Sequence, residues 1–545
     1  MIWKSREHLG GRPLLESTLK YSWSWIAECI GRHEKCKRSP YHGYFPTRLI
    51  DVGPSDGSRE PFLCETKEIS RNQDLRTSIN PIVPKKTSNE QTNKSSPLLQ
   101  YATLSHRWGE SRNLKTTIKM LGALKSSIPI SSMSRTFVNA VNVTRSIGLQ
   151  YLWIDSLCII QDSTQDWQQE SSKMCAIYSN AIFNIAATSS SNGDEGFLHP
   201  RPTAVQVPQK INAQESLDRR MPSKALWLRP VVPDVNTLMG RAWYFQEVIL
   251  APRSLNFGYN EVNYYCRVCR RFERTPEQNG PDNTIHFHRE PEVYKREFST
   301  LLREDIVTED KYRDAMRLWH EMVDSYSSRQ LTFPKDKLPA ISGLASLLGF
   351  ATKDHYLAGL WSRDLPFGLC WRVYDPDGSQ KVKPYRAPSW SWVSQSSTID
   401  YGAVGLHDYD WDVSVLDFGV DSLSDDEYGQ VQGGFIKLEG SMMQVDVEEA
   451  EGDGYSRFSC FLRRGDVGLC DEFPPDDYRL DSEVEELWCL LLGVRILGSE
   501  RYLLLLVVIK IDDEATFERV GYIDDSYTST ESLWKGIERT HVTLL

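Results

Sequence analysis

Apolar strand patterns and amphipathic helix patterns alternate through residues 101–188, and this alternation constrains the fold more than any other feature of the chain. Short apolar runs with the length of buried strands occupy residues 101–105, 151–155 and 181–188. Apolar side chains recur at helical spacing over 133–148 and 166–178, between those runs. Because strands that alternate with helices form parallel sheets covered on both faces, we predict an α/β fold for this part of the chain.

Polar side chains follow two of the predicted strands at the point where each strand ends. Ser105 closes the first strand, and the next three residues are His106, Arg107 and Trp108. Asp155 closes the following strand. Since functional groups collect at the carboxyl ends of parallel strands, this pattern predicts a polar rim at which Arg107 contacts a phosphate or nucleotide. In the alternative, His106 and Arg107 bond to backbone carbonyl groups and Trp108 fills a pocket.

Two carboxylates, Asp155 and Glu170, are the candidate catalytic residues. At a strand end, Asp155 can accept hydrogen bonds from backbone amides of the following turn, or it can act on a ligand. Glu170 lies one helical turn after Trp167, beside the buried stripe of the helix predicted over 166–178. A carboxylate in such a position is either the partner of an Arg or Lys or a site residue with a raised pKa. Cys158 has apolar neighbours and is predicted to be an inert, buried thiol.

A further polar group opens the helical pattern RAWYFQEV at residues 241–248. Gln246 and Glu247 could orient a ligand hydroxyl or cap a neighbouring element. In the alternative, the aromatic residues of this segment anchor a core helix and the polar residues cross-link it. The predicted ligand-binding rim consists of Ser105, His106, Arg107, Trp108, Arg241, Gln246 and Glu247.

Two short groups of cysteine and histidine are candidate zinc ligands, because zinc binds sulfur and imidazole nitrogen. Cys29, His33 and Cys36 give C-x3-H-x2-C, and Cys266 and Cys269 give C-x2-C. More than two hundred residues separate the groups, and the first lies in a helical pattern. Neither group completes the usual paired pattern of structural zinc sites. We predict no metal site, and the chain has no glycine-rich phosphate loop.

Charge and hydropathy exclude several classes of protein. The net charge of −11 argues against a general nucleic-acid binder, which needs a basic face. The most apolar run covers residues 502–511, whereas a membrane helix needs about 20 residues. The first residues contain no apolar stretch of signal-peptide length, and the eleven cysteines do not suggest a disulfide framework. We therefore expect a cytoplasmic protein without nucleic-acid binding or membrane insertion.

Composition divides the chain into five predicted segments. They are a helical and strand lead-in at 1–65, a flexible insertion rich in Ser, Asn and Lys at 66–98, a core at 99–260, a helical and connecting region at 261–400, and a mostly antiparallel β region at 401–545. Loops are predicted at 200–222 and, because of their acidic residues, at 408–428 and 446–453.

Three blocks of the sequence resemble the fungal heterokaryon-incompatibility (HET) domain. They are YATLSHRWG, YLWIDSLCIIQD with DWQQESSKMCAIYSNAIFNIAA, and RAWYFQEVILAPRSLNF, in the order of that family. The flanking segments WIAECIGRHEKC, FPTRLIDV, LTFPKDKLPAISGLA, YLAGLW and APSWSW are similar as well. The resemblance covers roughly residues 21–400. His106 and Arg107 stand where the family often has Tyr and Cys, so no Cys-dependent role is expected at that turn.

The resemblance implies a role in nonself recognition between fungal individuals, with programmed cell death when incompatible cells fuse. It also implies a fold similar to Toll/interleukin-receptor (TIR) domains, that is, a flavodoxin-like parallel sheet flanked by helices. Some TIR relatives cleave NAD with a glutamate on a helix beside the sheet. Glu170 resembles that glutamate, because it follows a Trp by three residues.

Three functions follow as alternatives. The first is a death-signalling module that needs no cofactor and acts through self-association or a protein partner. The second is an NAD-cleaving enzyme in which Glu170 stabilises the positive charge that develops on the ribose, with Asp155, Arg107 and His106 around the pocket. The third is a non-catalytic family member with a structural or interaction role.

Overall fold

The computed structural model of the protein describes most of the chain. The described residues are 15–37, 39, 41, 44–71, 99–109, 114–199, 205–207, 226–228, 236–273, 291–302, 308–374, 385–402, 408–449, 460–464, 467–473, 476, 486–512, 514–526, 531–534 and 536–545. They belong to two compact units. The first unit is Met1–Met239 with Glu247–Ile285, and the second is Gly240–Gln246 with His286–Leu545. The five segments predicted from composition stay a prediction.

The first unit contains helices and one large sheet. Its helices are α1 (Leu15–Arg32), α2 (Glu34–Lys37), α3 (Thr66–Arg71), α4 (Leu121–Ser126), α5 (Arg135–Ile147), α6 (Asp155–Cys158), α7 (Thr164–Ser171) and α8 (Met174–Asn180). Its strands are β1 (Arg48–Asp51), β2 (Phe62–Glu65), β3 (Tyr101–Ser105), β4 (Tyr151–Trp153), β5 (Phe183–Ala186), β6 (Val205–Val207), β7 (Leu226–Leu228), β8 (Arg253–Phe257), β9 (Val262–Cys266) and β10 (Arg270–Phe272). Helix α9 (Ala242–Leu250) begins in the second unit and ends in the first.

The large sheet has eight strands in the order β10-β9-β8-β5-β3-β4-β1-β2. Its four central strands, β8, β5, β3 and β4, are parallel, and antiparallel pairs extend the sheet on both sides. Every residue of these four parallel strands is buried. Burial on both faces is what a parallel sheet covered by helices requires. The predicted α/β class is therefore confirmed, with antiparallel edges added.

The helix predicted over 133–148 is α5, and local sequence sets both of its ends. The Ser134 side chain accepts a hydrogen bond from the backbone N–H of Phe137, as an N-cap does. Gly148 follows the last turn with φ of 85°, a left-handed conformation that glycine adopts without strain. The helix predicted over 166–178 is divided instead, since α7 ends at Ser171 and α8 begins at Met174.

Two predicted loop regions are only partly described. The insertion predicted at 66–98 begins with α3, and residues 72–98 lie outside the described residues. The loop predicted at 200–222 contains β6, and the rest of it also lies outside them.

The second unit combines helices with short and long strands. Its helices are α10 (Pro291–Leu301), α11 (Glu309–Ser327), α12 (Pro339–Thr352) and α13 (Glu531–Trp534). Its strands are β11 (Tyr356–Leu357), β12 (Leu360–Trp361), β13 (Arg372–Val373), β14 (Ile399–Asp400), β15 (Asp408–Trp411), β16 (Ser414–Ser422), β17 (Val431–Glu449), β18 (Cys460–Arg464), β19 (Val467–Phe473), β20 (Leu487–Leu497), β21 (Glu500–Lys510), β22 (Thr516–Ser526) and β23 (Arg539–Leu544).

Strands β15 to β23 form one nine-stranded sheet. Within it, β20, β21, β22, β23 and β17 pair in a closed cycle, and every pair of that cycle is antiparallel except β22 with β23. Apolar side chains such as Leu487, Leu505 and Ile523 pack into one core. The predicted antiparallel β region is thus confirmed. Among the helices that the structure describes, none is both long and apolar enough to cross a membrane.

Acidic loops were predicted at 408–428 and 446–453, and this was wrong for β15, β16 and the end of β17, which are strands. Residues 450–453 lie outside the described residues. Along β15, exposed aspartates alternate with half-buried aromatic residues. The rings of Tyr409 and Trp411 stack with centroids 5.1 Å apart. The charges therefore line the solvent face of a strand whose other face is covered, a period-two pattern that acidic composition conceals.

Candidate functional site

The carboxyl ends of β3, β4, β5 and β8 form one edge of the sheet, which we call the carboxyl edge. At this edge β3 and β5 are joined by a buried polar network. Thr103 Oγ1 donates to Asn184 Oδ1 over 2.9 Å, and Asn184 Nδ2 donates to Ser105 Oγ over 3.0 Å. All three side chains are buried. Ser105 on β3 therefore links two strands at the edge, because its hydroxyl oxygen accepts a hydrogen bond from the Asn184 amide on β5.

His106, Trp108 and Asp155 converge where β3 and β4 end. Trp108 Nε1 donates to Asp155 Oδ2 over 2.9 Å, and the backbone N–H of Ser156 donates to Asp155 Oδ1 over 2.7 Å. His106 Nδ1 lies 3.9 Å from Asp155 Oδ1, and the buried imidazole ring meets Phe137 edge-on. Both oxygens of Asp155 accept an N–H donor, so this carboxylate ties the turn after β3 to the start of α6.

Arg107, between His106 and Trp108, is exposed. Within the described part of the chain it forms no hydrogen bond or ion pair. Its guanidinium group therefore faces solvent, and the predicted contact of Arg107 with a phosphate stays a prediction.

Glu170 is almost fully buried, with 1% of its surface exposed. Its Oε1 accepts a hydrogen bond from Thr47 Oγ1 over 2.7 Å and lies 2.9 Å from Lys173 Nζ. Its Oε2 is buried and has no hydrogen-bond partner among the described residues. The hydroxyl of Tyr44 is likewise buried and unpartnered there, and burial together with the charge of Glu170 raises the pKa of Tyr44. Both hydrogen-bond donors of Glu170 thus bind Oε1, and Oε2 has none among the described residues.

A buried ion pair one turn earlier fixes the helix that carries Glu170. Arg48 Nη2 lies 2.5 Å from Asp166 Oδ2, and that oxygen also accepts the backbone N–H of Ile160. Arg48 Nε donates to the carbonyl oxygen of Cys158 over 2.7 Å. Arg48 therefore joins the end of α6 to the first turn of α7, the helix that carries Glu170.

Strand register places Glu170 at the carboxyl edge together with Asp155. Strand β1 runs antiparallel to β4 and pairs Ile50 with Leu152, so Arg48 and Thr47 lie level with the end of β4. Thr47 is the residue that holds Glu170. The two carboxylates share the edge, but the hydrogen-bond partners given above for one are different from those of the other.

A surface depression of about 490 Å³ lies elsewhere in the first unit. Its lining includes Arg59, Phe62 and Lys125. Phe62 pairs with Asp51, at the end of β1 that is remote from Thr47. This depression therefore lies at the opposite edge of the sheet from the polar side chains that converge at the carboxyl edge.

Residues 101–247 match the family model described as heterokaryon incompatibility protein (HET). The chain contains a HET domain over these residues. The resemblance inferred from the three sequence blocks is thereby confirmed. In comparisons with curated proteins and with solved structures, none matches the chain.

The last block of the HET domain divides between the two units. Arg241 and Gln246 belong to the second unit, and Glu247 belongs to the first. Gln246 is buried, and its amide bonds to the carbonyl oxygen of Pro339 and to the backbone N–H of Gly343 at the start of α12. Arg241 forms a backbone bridge with Gln330. Gln246 therefore cross-links helices, as the alternative prediction for this segment states. Its role in a ligand-binding rim stays a prediction, as do the roles of Arg241 and Glu247.

The two cysteine-containing groups that are far apart in sequence meet in the first unit. Ligand atoms of Cys29, His33, Cys36 and Cys266 all lie within 4.8 Å of one another. The two groups are far apart in sequence but close in space. The prediction of no metal site depended on their separation along the chain.

Sequence reasoning found both carboxylates but missed the side chains that hold Glu170. These are Thr47 and Lys173, with Tyr44 beside them. Thr47 lies in the flanking segment FPTRLIDV, which resembles the family. The available signal was a predicted strand that begins with Arg48 directly after Thr47, because residues at a strand end can face the site edge.

Proposed function

We propose that this HET-domain protein acts in fungal nonself recognition and causes death of the cell in which it is activated. The observation that carries this proposal is the family match over residues 101–247, which contain Asp155 and Glu170. The protein acts in the cytoplasm through self-association or a protein partner. On activation the protein changes which protein it binds, and it binds neither a membrane nor a nucleic acid.

A flavodoxin-like, TIR-like sheet is part of this proposal. Numbered along the chain, the four parallel strands β3, β4, β5 and β8 lie in the order 2-1-3-4. The flavodoxin-like order is 2-1-3-4-5, with ligands bound at the carboxyl ends of the strands. The agreement over four strands supports a site at the carboxyl edge, where Asp155 and Glu170 lie.

Inducible expression in yeast tests the death-signalling role. We expect colony counts to fall after induction of the full chain. The matched control is Phe137→Asp, which places a charge in a fully buried position of α5 and prevents the HET domain from folding. Normal growth of cells that accumulate the wild-type chain in soluble form would contradict the proposal.

NAD cleavage is the second candidate, and the buried Oε2 of Glu170 favours it. A buried polar atom without a partner costs about 1–3 kcal/mol, and such atoms are found where a site needs them. In this mechanism the carboxylate stabilises the positive charge on the ribose while the bond to nicotinamide breaks. Water then attacks the ribose carbon and loses a proton, leaving ADP-ribose. Because Glu170 is buried, Lys173 or Thr47 must move aside as the ribose enters.

The order of events in induced yeast separates the enzyme from the association module. If Glu170 cleaves NAD, cellular NAD falls before colony counts do, and Glu170→Gln abolishes both changes. Death with unchanged NAD would reject this candidate and leave association as the mechanism. Loss of NAD that persists in Glu170→Gln would place the reaction at another residue.

A further inference from the structure

We infer that Cys29, His33, Cys36 and Cys266 form a structural zinc site in the first unit. The ligand atoms of these four residues lie within 4.8 Å of one another. Cys266 Sγ lies 3.5 Å from His33 Nδ1. The three cysteines are buried and His33 is half-buried. Three thiols and one imidazole form one of the ligand sets that structural zinc uses.

The separations of these atoms, none above 4.8 Å, are close to those around a tetrahedral zinc ion. Zinc binds sulfur at about 2.3 Å and imidazole nitrogen at about 2.0–2.1 Å. In a regular tetrahedron, ligands at those distances lie roughly 3.6–3.8 Å apart. The distance of 3.5 Å between Cys266 and His33 is close to that value. An ion would therefore enter with small movements of the side chains.

Local backbone geometry brings three of the ligands to one side of the N-terminal helices. Helix α1 ends at Arg32, and the backbone N–H of His33 donates to the carbonyl oxygen of Cys29. The backbone N–H of Cys36 then donates to the carbonyl oxygen of His33. These two consecutive turns make C-x3-H-x2-C a compact group of ligands. The helical pattern that argued against a metal site is the cause of this grouping.

The fourth ligand comes from the hairpin between β9 and β10. The backbone N–H groups of Val268 and Cys269 point at Cys266 Sγ, at 3.4 and 3.3 Å. Hydrogen bonds of this kind stabilise a metal-bound thiolate and orient it. Cys269 Sγ lies 3.6 Å from Cys266 Sγ. Because tetrahedral zinc takes four ligands, Cys269 remains beside the ion as a fourth sulfur, outside the ligand set.

A buried arginine offsets the charge of such a site. Zinc with three thiolates and a neutral imidazole carries one net negative charge. Arg253, 4% exposed, directs its Nε at Cys29 Sγ over 3.2 Å and its Nη2 at the carbonyl oxygen of Cys36 over 3.1 Å. This cation on β8 lies where the excess negative charge would be, so the buried site is electrostatically compensated.

The ligands lie before and after the HET domain in the sequence, so the ion would join the two ends of the first unit. Cys36 and Cys266 enclose residues 101–247. A structural zinc site contributes its binding free energy to folding, because the unfolded chain does not hold the ligands together. The site is thus predicted to stabilise α1 and α2 against the β9–β10 hairpin, independently of the proposed death signalling.

Metal analysis of the purified full-length chain tests this inference. Under reducing conditions, we expect inductively coupled plasma mass spectrometry to find about one zinc ion per chain. Cys36→Ser and Cys266→Ser should each lose most of it. The matched control is Cys64→Ser, the same substitution at a buried cysteine of the first unit whose thiol donates to a backbone carbonyl. Replacement of zinc by cobalt should give the absorption spectrum of a tetrahedral thiolate complex.

A second measurement on the wild-type chain covers the case in which the variants do not fold. A zinc chelator added with a thiol-reactive mercurial should release zinc and lower the thermal midpoint of the wild type. Only trace zinc in the wild type and no cobalt spectrum would overturn the site. Equal zinc loss in Cys64→Ser would show adventitious binding and overturn it too. Loss in Cys269→Ser with retention in Cys36→Ser would overturn the assigned ligand set.

Discussion

Two carboxylates share the carboxyl edge of the HET domain, and their surroundings differ. Asp155 has an N–H donor on each oxygen and is partly exposed. Glu170 is buried, and both of its donors bind the same oxygen, which leaves Oε2 unpartnered among the described residues. The position of Asp155 is therefore explained by its structural role, which is to join the turn after β3 to the start of α6. Glu170 has a buried oxygen without a hydrogen-bond partner among the described residues, and for this reason we propose it, and not Asp155, as the site residue.

Removing the cation beside Glu170 should have the largest effect on stability. Lys173→Met leaves a buried carboxylate without its charge partner, and we expect a loss of about 2–4 kcal/mol in the free energy of unfolding of the first unit. Urea denaturation measures it. The double variant Lys173→Met with Glu170→Gln should recover most of the loss, because the buried charge is gone. Unchanged stability of Lys173→Met would show that Glu170 needs no partner, and it would weaken the contrast with Asp155.

A carboxyl group of the second unit shows what burial does to a carboxylate when nearby charges, including that of Arg372, do not offset it. Burial raises the pKa of Asp324 to about 8, with a further increase from the charges of Asp400 and Glu321. The folded state therefore holds this proton more tightly than the unfolded chain, in which the pKa is about 3.9. Its contribution to stability falls as the pH rises from about 4 to about 8. Glu170, in contrast, has Lys173 beside it.

Asp324→Asn should remove that pH dependence. At pH 8 the variant should be more stable than the wild type, since Asn cannot lose a proton, and at pH 4 the difference should become small. The amide oxygen can still accept the backbone N–H of Tyr401. Thermal unfolding at several pH values measures the effect. Parallel pH profiles of the two proteins would show that Asp324 ionises normally in the folded state.

The hydrogen bond to Asp155 should have the smallest effect. Trp108→Phe keeps an aromatic ring but removes the Nε1–H that donates to Asp155 Oδ2, and we expect a loss of about 1 kcal/mol. A double-mutant cycle with Asp155→Asn isolates this bond. A coupling energy near zero would mean that the indole does not hold Asp155, and Asp155 would then resemble Glu170 in having an unused oxygen.

Local signals predicted most of the HET-domain elements, because each is encoded within a few residues. Ser134 and Gly148 mark the ends of α5, and the apolar run at 101–105 gives β3. The break between α7 and α8 was missed. Apolar side chains continue through 166–178, and the break is marked only by Lys173, whose ammonium group returns to Glu170 and Thr47.

Contacts between distant segments could not be predicted from one sequence. Thr47 is 123 residues from Glu170, and Cys266 is 233 residues from His33. Which strands become neighbours, and in what register, is decided by packing of the whole sheet, and spacing along the chain does not record it. The candidate carboxylates were therefore identified from local pattern, whereas the residues that hold Glu170 and the complete cysteine cluster became evident only in the fold.

We propose that Glu170, and not merely an intact fold, is required for the death of the expressing cell. Yeast expressing Glu170→Gln, at a soluble level equal to the wild type and with a similar thermal midpoint, tests this most directly. The control Glu65→Gln makes the same change at a partly exposed carboxylate of β2. We predict that Glu65→Gln lowers colony counts as the wild type does and that Glu170→Gln does not. Equal loss of viability in all three strains would contradict the claim.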